Sequence, residues 1–149
     1  MTDTKREFVD TNVLVYAYNN SLPDKQAKAR SLLDGLWRSE KGGLSIQVLQ
    51  EFFTVVTRKI PIPLPLDTAT QILSDYGIWS CHTPEVNDLL KAISIQRKYV
   101  ISFWDALIIQ SAYQLDCRII WSEDLNNGQL YEGITVLNPF SAPDCEFSR

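Results

Sequence analysis

Short apolar runs alternate with segments of helical period from one end of this chain to the other, and no other feature restricts the fold as much. The two or three residues ending at Val9, then segments 44–46, 78–81, 118–121 and 134–137, each have the length and bulk of a short buried strand. Between them, Ala29, Leu32, Leu33, Leu36 and Trp37 recur at helical spacing, as do Val48, Phe52, Val55 and Val56. Ala69, Ile72, Leu73 and Tyr76 mark a third helix behind Asp67. Val86, Leu89, Leu90 and Ile93 are the expected inner face of a fourth, opened by Thr83 and Pro84. Ser21 and Asp24 around Pro23 read as a capping box, and Gly42 and Gly43 as a helix stop. Segment 60–66, with Pro61, Pro63 and Pro65, reads as an extended connector inside the domain. Strands separated by helices imply an α/β/α sandwich on a parallel sheet with right-handed crossovers. At 149 residues this is one domain, 1–149, large enough for a proper core.

Composition narrows the class. With 45% hydrophobic and 21% charged residues the chain reads as globular and soluble. No apolar run approaches the roughly 20 residues of a membrane span, and the charged opening MTDTKREF lacks the apolar stretch of a signal peptide. Cys81, Cys117 and Cys145 form no CxxC pair, which fits free thiols in a reducing cytosol. His82 is the one histidine, so a zinc site of His/Cys type is not expected. A net charge of −4 argues against broad electrostatic attachment to nucleic acid. It does not exclude a nuclease, because bound divalent cations reverse the sign locally.

The chemistry is carried by carboxylates. Asp10 ends the first strand and precedes Thr11, Asn12 and an apolar run over residues 13–18. It is either a helix cap or a functional acid at a strand's carboxyl end, where open α/β sheets bind ligands. Asp105 follows Ser102 at capping-box spacing and interrupts a helix that is otherwise apolar nearly all round, so its carboxylate needs a partner. Asp124 follows the fourth strand. Glu51 lies early in its helix without a basic residue three or four positions away. Four acids at strand ends and helix starts suit a hard cation such as Mg²⁺, which takes oxygen ligands and usually only one or two carboxylates. Such a cation can activate water and stabilise an in-line phosphoryl displacement.

These residues resemble a known family. DTNVLVYA around Asp10, QVLQEFFTVV around Glu51, SFWDALII around Asp105, and WSEDLNNGQ with GITVLNPF resemble, in order, the motifs of PIN domains, and most closely those of VapC-type toxins. The resemblance implies a Rossmann-like sheet of about five parallel strands and Mg²⁺- or Mn²⁺-dependent endoribonuclease activity on RNA. It also implies a homodimer and a cognate antitoxin that blocks the cleft. By position, Asp10, Asp105 and Asp124 would be metal ligands, Glu51 a ligand directly or through water, and Thr11, Asn12 and Ser122 supporting polar groups. The family pattern selects Asp124 over its neighbour Glu123, which would point away.

Other readings compete. No GxGxxG or P-loop is present, and serine hydrolysis through His82 would need an arrangement the sequence does not announce. A small-molecule phosphohydrolase shares the metal chemistry, and a non-catalytic scaffold would normally have lost acidic positions. Lys25, Lys28, Arg58, Lys59, Arg97 and Lys98 are candidates for the RNA backbone, each also readable as a solvated charge. Trp79, Trp104 and Trp121 are readable as base-stacking platforms, though their neighbours favour core or dimer packing. Phe52, Phe53, Phe103 and Trp104 are the aromatic surface expected at a dimer interface.

Overall fold

The computed structural model describes residues 5–141. The start of the polar lead-in, nearly all of the aperiodic last nine residues, and Cys145 lie outside the described residues. In chain order the elements are β1 (Arg6–Val9), α1 (Thr11–Tyr16), α2 (Pro23–Ser39), β2 (Gly42–Ser45), α3 (Ile46–Arg58), α4 (Leu66–Tyr76), β3 (Ser80–His82), α5 (Val86–Tyr99), α6 (Phe103–Gln114), β4 (Cys117–Trp121), β5 (Leu130–Tyr131) and β6 (Ile134–Leu137). The sheet order is β3-β2-β1-β4-β6-β5. Five strands run parallel; the two-residue β5 pairs antiparallel with β6 and had no counterpart in the sequence reading.

That order places the site. From β1 the chain moves outward through β2 to β3, then crosses back to β4 on the other flank of β1. Right-handed crossovers therefore send α1–α4 to one face and α5–α6 to the other. The order reverses between β1 and β4, and in open sheets the crevice at such a switch point binds ligands. Phe8, Val9, Leu44, Ile120 and Val136 are fully buried between the layers, which at about 25 cal/mol per Å² of apolar area is the main stabilising term.

Several local expectations are corrected. Gly42 and Gly43 belong to β2; α2 ends at Ser39, where the spacing puts it, but its stop is Glu40 in the left-handed region at φ 61°. A Cβ on Gly42 would lie 2.3 Å from the Trp79 ring, so this strand needs glycine for close packing. The α2 cap is Leu22 with Pro23 behind it, and Ser21 donates to Asn19 instead. Ile46 is the first residue of α3, whose cap is the Ser45 hydroxyl. β3 starts at Ser80, leaving Ile78 exposed.

The largest correction is α5. It begins after Glu85, and its buried residues are Asp88, Ala92 and Ile95, whereas Val86, Leu89, Leu90 and Ile93 face outward. The α5–α6 contact is organised by polar groups. Asp88 accepts from Gln110 at 3.1 Å and lies 3.3 Å from His82 Nε2, while His82 Nδ1 shares a 2.8 Å hydrogen bond with Ser111. Satisfying these buried atoms fixes the rotation of the helix, because an unpaired one would cost more than an exposed leucine. Phe52 is likewise fully buried and Phe53 and Phe103 pack against the core, so of the four aromatics expected at an interface Trp104 alone is exposed.

Candidate functional site

The chain leaves β1 at Asp10 and turns directly into α1, with Asp10 as its cap. The helix-cap reading of that residue therefore holds, and the same carboxylate faces the cleft. Oδ1 accepts from the Thr11 N–H at 2.7 Å, and Oδ2 accepts from Ser122 Oγ at 2.8 Å and Asn12 Nδ2 at 3.2 Å. The side chain is 6% exposed. Despite three donors, burial pushes its carboxyl up to about 6, and the charges of Asp124 and Asp105 add to the rise. Among the described residues no basic side chain forms an ion pair with it.

Asn12 and Ser122 tie the two flanks of the switch point together. The Asn12 amide donates to both Asp10 and Asp124, the latter at 3.1 Å, while its carbonyl oxygen accepts the Glu123 N–H at 3.0 Å. That bonding pattern fixes which end of the amide faces the carboxylates. Ser122 Oγ donates to Asp10 and accepts the N–H groups of Asp124 and Leu125 at 3.1 and 3.3 Å. It thereby folds the turn after β4 so that Asp124 faces the cleft. Thr11 Oγ1 donates to Glu51 Oε1 at 2.8 Å, bringing α3 to the same point. Asp105 sits in the first turn of α6, its N–H capped by Ser102 Oγ at 3.1 Å. Its carboxyl is raised by burial and then by Asp124, against the Ser102 bond.

Asp10, Thr11, Asn12, Glu51, Asp105 and Asp124 thus line one cleft of about 720 Å³. Ser122 supports it from beneath. Glu123 turns away, into bonds from Tyr16 Oη at 2.6 Å and Lys25 Nζ. Burial alone would raise its carboxyl; Lys25 and Tyr16 overcome that and hold it below the usual range. Tyr16 escaped the sequence reading, and Lys25, read there as an RNA-backbone candidate or a solvated charge, is instead paired with Glu123. The available signal was Tyr16, four residues beyond Asn12 and so on the same face of α1.

Oxygen donors without nitrogen or sulfur suit a hard divalent cation. Among the described residues no three His, Cys, Asp or Glu side chains converge into a ready-made cage. Elsewhere, Ser111, His82 and Asp88 stand in the contact order of a hydrolase triad, an arrangement invisible in the sequence. Ser111 is 1% exposed and none of the three lines the cleft, so they act as a structural tie.

The PIN domain family matches over residues 8–131. No curated protein matches. Among solved structures, the chain is similar to a toxin–antitoxin complex from Klebsiella pneumoniae, with a TM-score of 0.68 and 12% identity, covering 89% of this chain and 97% of that one. It is similar to VapC20 of Mycobacterium tuberculosis, a toxin that cleaves the sarcin–ricin loop, with a TM-score of 0.59, 16% identity, and 79% and 89% coverage. It is also similar to FitAcB from Neisseria gonorrhoeae, with a TM-score of 0.57, 17% identity, and 91% and 99% coverage.

Proposed function

This chain belongs to the PIN-domain family, and on that premise we propose that it is a metal-dependent endoribonuclease acting as the toxin of a toxin–antitoxin pair. One observation carries the reading: the buried Asp10 carboxylate, cross-linked by Asn12 to Asp124 and faced by Asp105, has three neutral donors and, among the described residues, no basic side chain in an ion pair with it. A buried charge in that state is costly unless something positive occupies the cleft.

Asp10, Asp105 and Asp124 would hold Mg²⁺ or Mn²⁺, with Glu51 binding directly or through water. The cation supplies Lewis-acid stabilisation of charge building on the phosphodiester and a lower pKa for the attacking water. The chain's own groups do the positioning. Thr11 holds the Glu51 carboxylate, Asn12 sets the Asp10–Asp124 pair, and Ser122 keeps Asp10 oriented and donates to its charged form. Ionised carboxylates are acceptors only, so one of them would orient the attacking water and take up its proton as the new P–O bond forms, while the P–O bond to the leaving ribose oxygen breaks and that oxygen takes a proton from solvent. The test is total RNA incubated with the pure protein in Mg²⁺ or in EDTA. Cleavage that needs Mg²⁺ supports the reading; RNA left intact under both conditions overturns it.

Two partners follow. A cognate antitoxin would lay a segment along the cleft and set an Arg or Lys near Asp10 and Asp105, where bidentate geometry favours Arg. Co-expression with the adjacent gene product, followed by co-purification and an RNase assay, checks this. A second copy of the chain would cover the outward apolar face of α5, Val86, Leu90 and Ile93, in a two-fold homodimer. A monomer in sedimentation at micromolar concentration removes that claim. Among the described residues no helix is long and apolar enough to cross a membrane, and the free thiols of Cys81 and Cys117 support a cytosolic setting.

A further inference from the structure

Two side chains at opposite ends of the cleft are left without a task by the carboxylate chemistry. Trp104 immediately precedes Asp105, and it stands 62% exposed on the cleft wall. The other tryptophans are engaged in packing: Trp79 and Trp121 are buried, and Trp37 lies against Tyr76 and Trp79. Lys59 closes the C-terminal end of α3 and is, among the described residues, the only basic side chain lining the cleft. Lys25 and Lys98, by contrast, are engaged by Glu123 and Glu132.

Helix α3 measures the distance between the two. Gln47, in its first turn, donates to the Trp104 carbonyl at 3.3 Å. At a rise of about 1.5 Å per residue, Lys59 lies about 18 Å further along the axis, with Glu51 about 6 Å from the Gln47 end. The carboxylates therefore sit between an aromatic face and a cation. That sequence of groups matches a flexible polyanion whose bases are free to stack, which is single-stranded nucleic acid. A duplex keeps its bases against one another and offers Trp104 no ring face. The cleft is otherwise acidic, so one lysine cannot hold a strand through phosphates alone, and stacking has to contribute.

We propose that the cleft takes single-stranded RNA, with a nucleobase stacked on Trp104 to one side of the scissile phosphate and a backbone phosphate held by Lys59 on the other. This rests on the nuclease reading. The test binds a short unstructured oligoribonucleotide to the full chain carrying Asp124→Asn, so that the strand is held without being cut. The strand should quench tryptophan fluorescence, and a duplex of equal length should bind at least about tenfold more weakly. Trp104→Ala should abolish the quench and weaken binding by about tenfold; Trp104→Phe should restore most of the affinity. Lys59→Ala should reduce the slope of log affinity against log salt by about 0.7, and Lys59→Arg should keep it. Equal affinity for duplex, or unchanged affinity in Trp104→Ala, overturns the proposal. So does a Trp104→Ala protein that turns from dimer to monomer while binding RNA as before, since Trp104 is then a subunit contact. If the wild-type chain with Mg²⁺ cuts no RNA yet holds the strand on Trp104, the nuclease reading falls and the binding geometry stands. If it cuts and neither variant raises KM, the geometry falls alone.

Discussion

Asp10 and Asp88 are each 6% exposed, and each has three polar partners, hydrogen-bond donors to Asp10 and two donors plus the His82 ring to Asp88, yet their protonation runs in opposite directions. Asp88 is held below the ordinary carboxylate range, first by the Glu85 N–H and then, against the penalty of burial, by Gln110 and His82. Asp10 rises to about 6 because burial outweighs its donors and two further acids face it. A buried acid whose surroundings supply both donors and a basic ring is part of the frame. One supplied with donors and more negative charge has the surroundings that a bound cation would relieve.

The comparison breaks most visibly in activity. Asp10→Asn, Asp105→Asn and Asp124→Asn are each expected to lower RNA cleavage by on the order of a hundredfold or more, as other single catalytic-group losses do. Asp88→Asn should stay within a few-fold of wild type in the same fluorogenic RNA assay. A silent Asp105→Asn, or an Asp88→Asn as damaging as Asp10→Asn, would erase the distinction.

The second contrast is in stability against pH, followed by urea melts in EDTA. Asp10 binds its proton more tightly folded than unfolded, so between pH 4 and 6 the native state carries more protons. Stability from this group therefore falls as pH rises through that window, by about 3 kcal/mol in all, and stays low above it. Asp10→Asn should flatten the decline, and Mg²⁺ at pH 7.5 should raise the melting temperature by mass action. Asp88 acts with the opposite sign: its contribution is present above the unfolded value near 3.8 and lost as pH falls through its lower folded value. Asp88→Ala should cost about 2–3 kcal/mol at neutral pH, because Gln110 and the Glu85 N–H lose a charged acceptor.

Smaller effects sharpen the site's edge. Glu51→Gln should reduce cleavage less than the three aspartate variants if it acts through water, and a loss as large as theirs would make it a direct ligand. Glu123→Gln should leave cleavage nearly unchanged and cost at most about 1 kcal/mol, since its partner Lys25 is partly solvated. A large loss of activity there would move the boundary of the site from Asp124 to its neighbour.

Much of this was legible in the chain because the signals are local. The bulky runs of β4 and β6, and acids placed at strand ends and helix starts, follow from spacing alone. Helical period finds the stripe Val86, Leu89, Leu90 and Ile93, but it cannot say which side of α5 meets the protein. That was decided by Asp88, Gln110, His82 and Ser111, which are dispersed in sequence and meet only once α5 and α6 pack. Gly42 was misread for a related reason: a glycine looks like a stop until the Trp79 ring, brought by the next strand, is seen to fill the space of its missing side chain. The Glu123 and Asp124 pair was separable by motif alone, whereas the Tyr16 and Lys25 bonds that divert Glu123 required the fold.

The placing of β1 beside β4 also sets when the site can exist. Ser122 and Asp124 lie 112 residues from the Asp10 and Asn12 side chains they bond. Closing so long a loop is entropically late and slow relative to the local β1–α1 and α5–α6 contacts. During synthesis, which supplies the amino-terminal half first, Asp10 emerges with neither its hydroxyl donor nor its second carboxylate. Until β4 docks, it is an ordinary hydrated aspartate. The assembled carboxylate cleft is thus a property of the finished sheet, acquired in one of the last steps of folding.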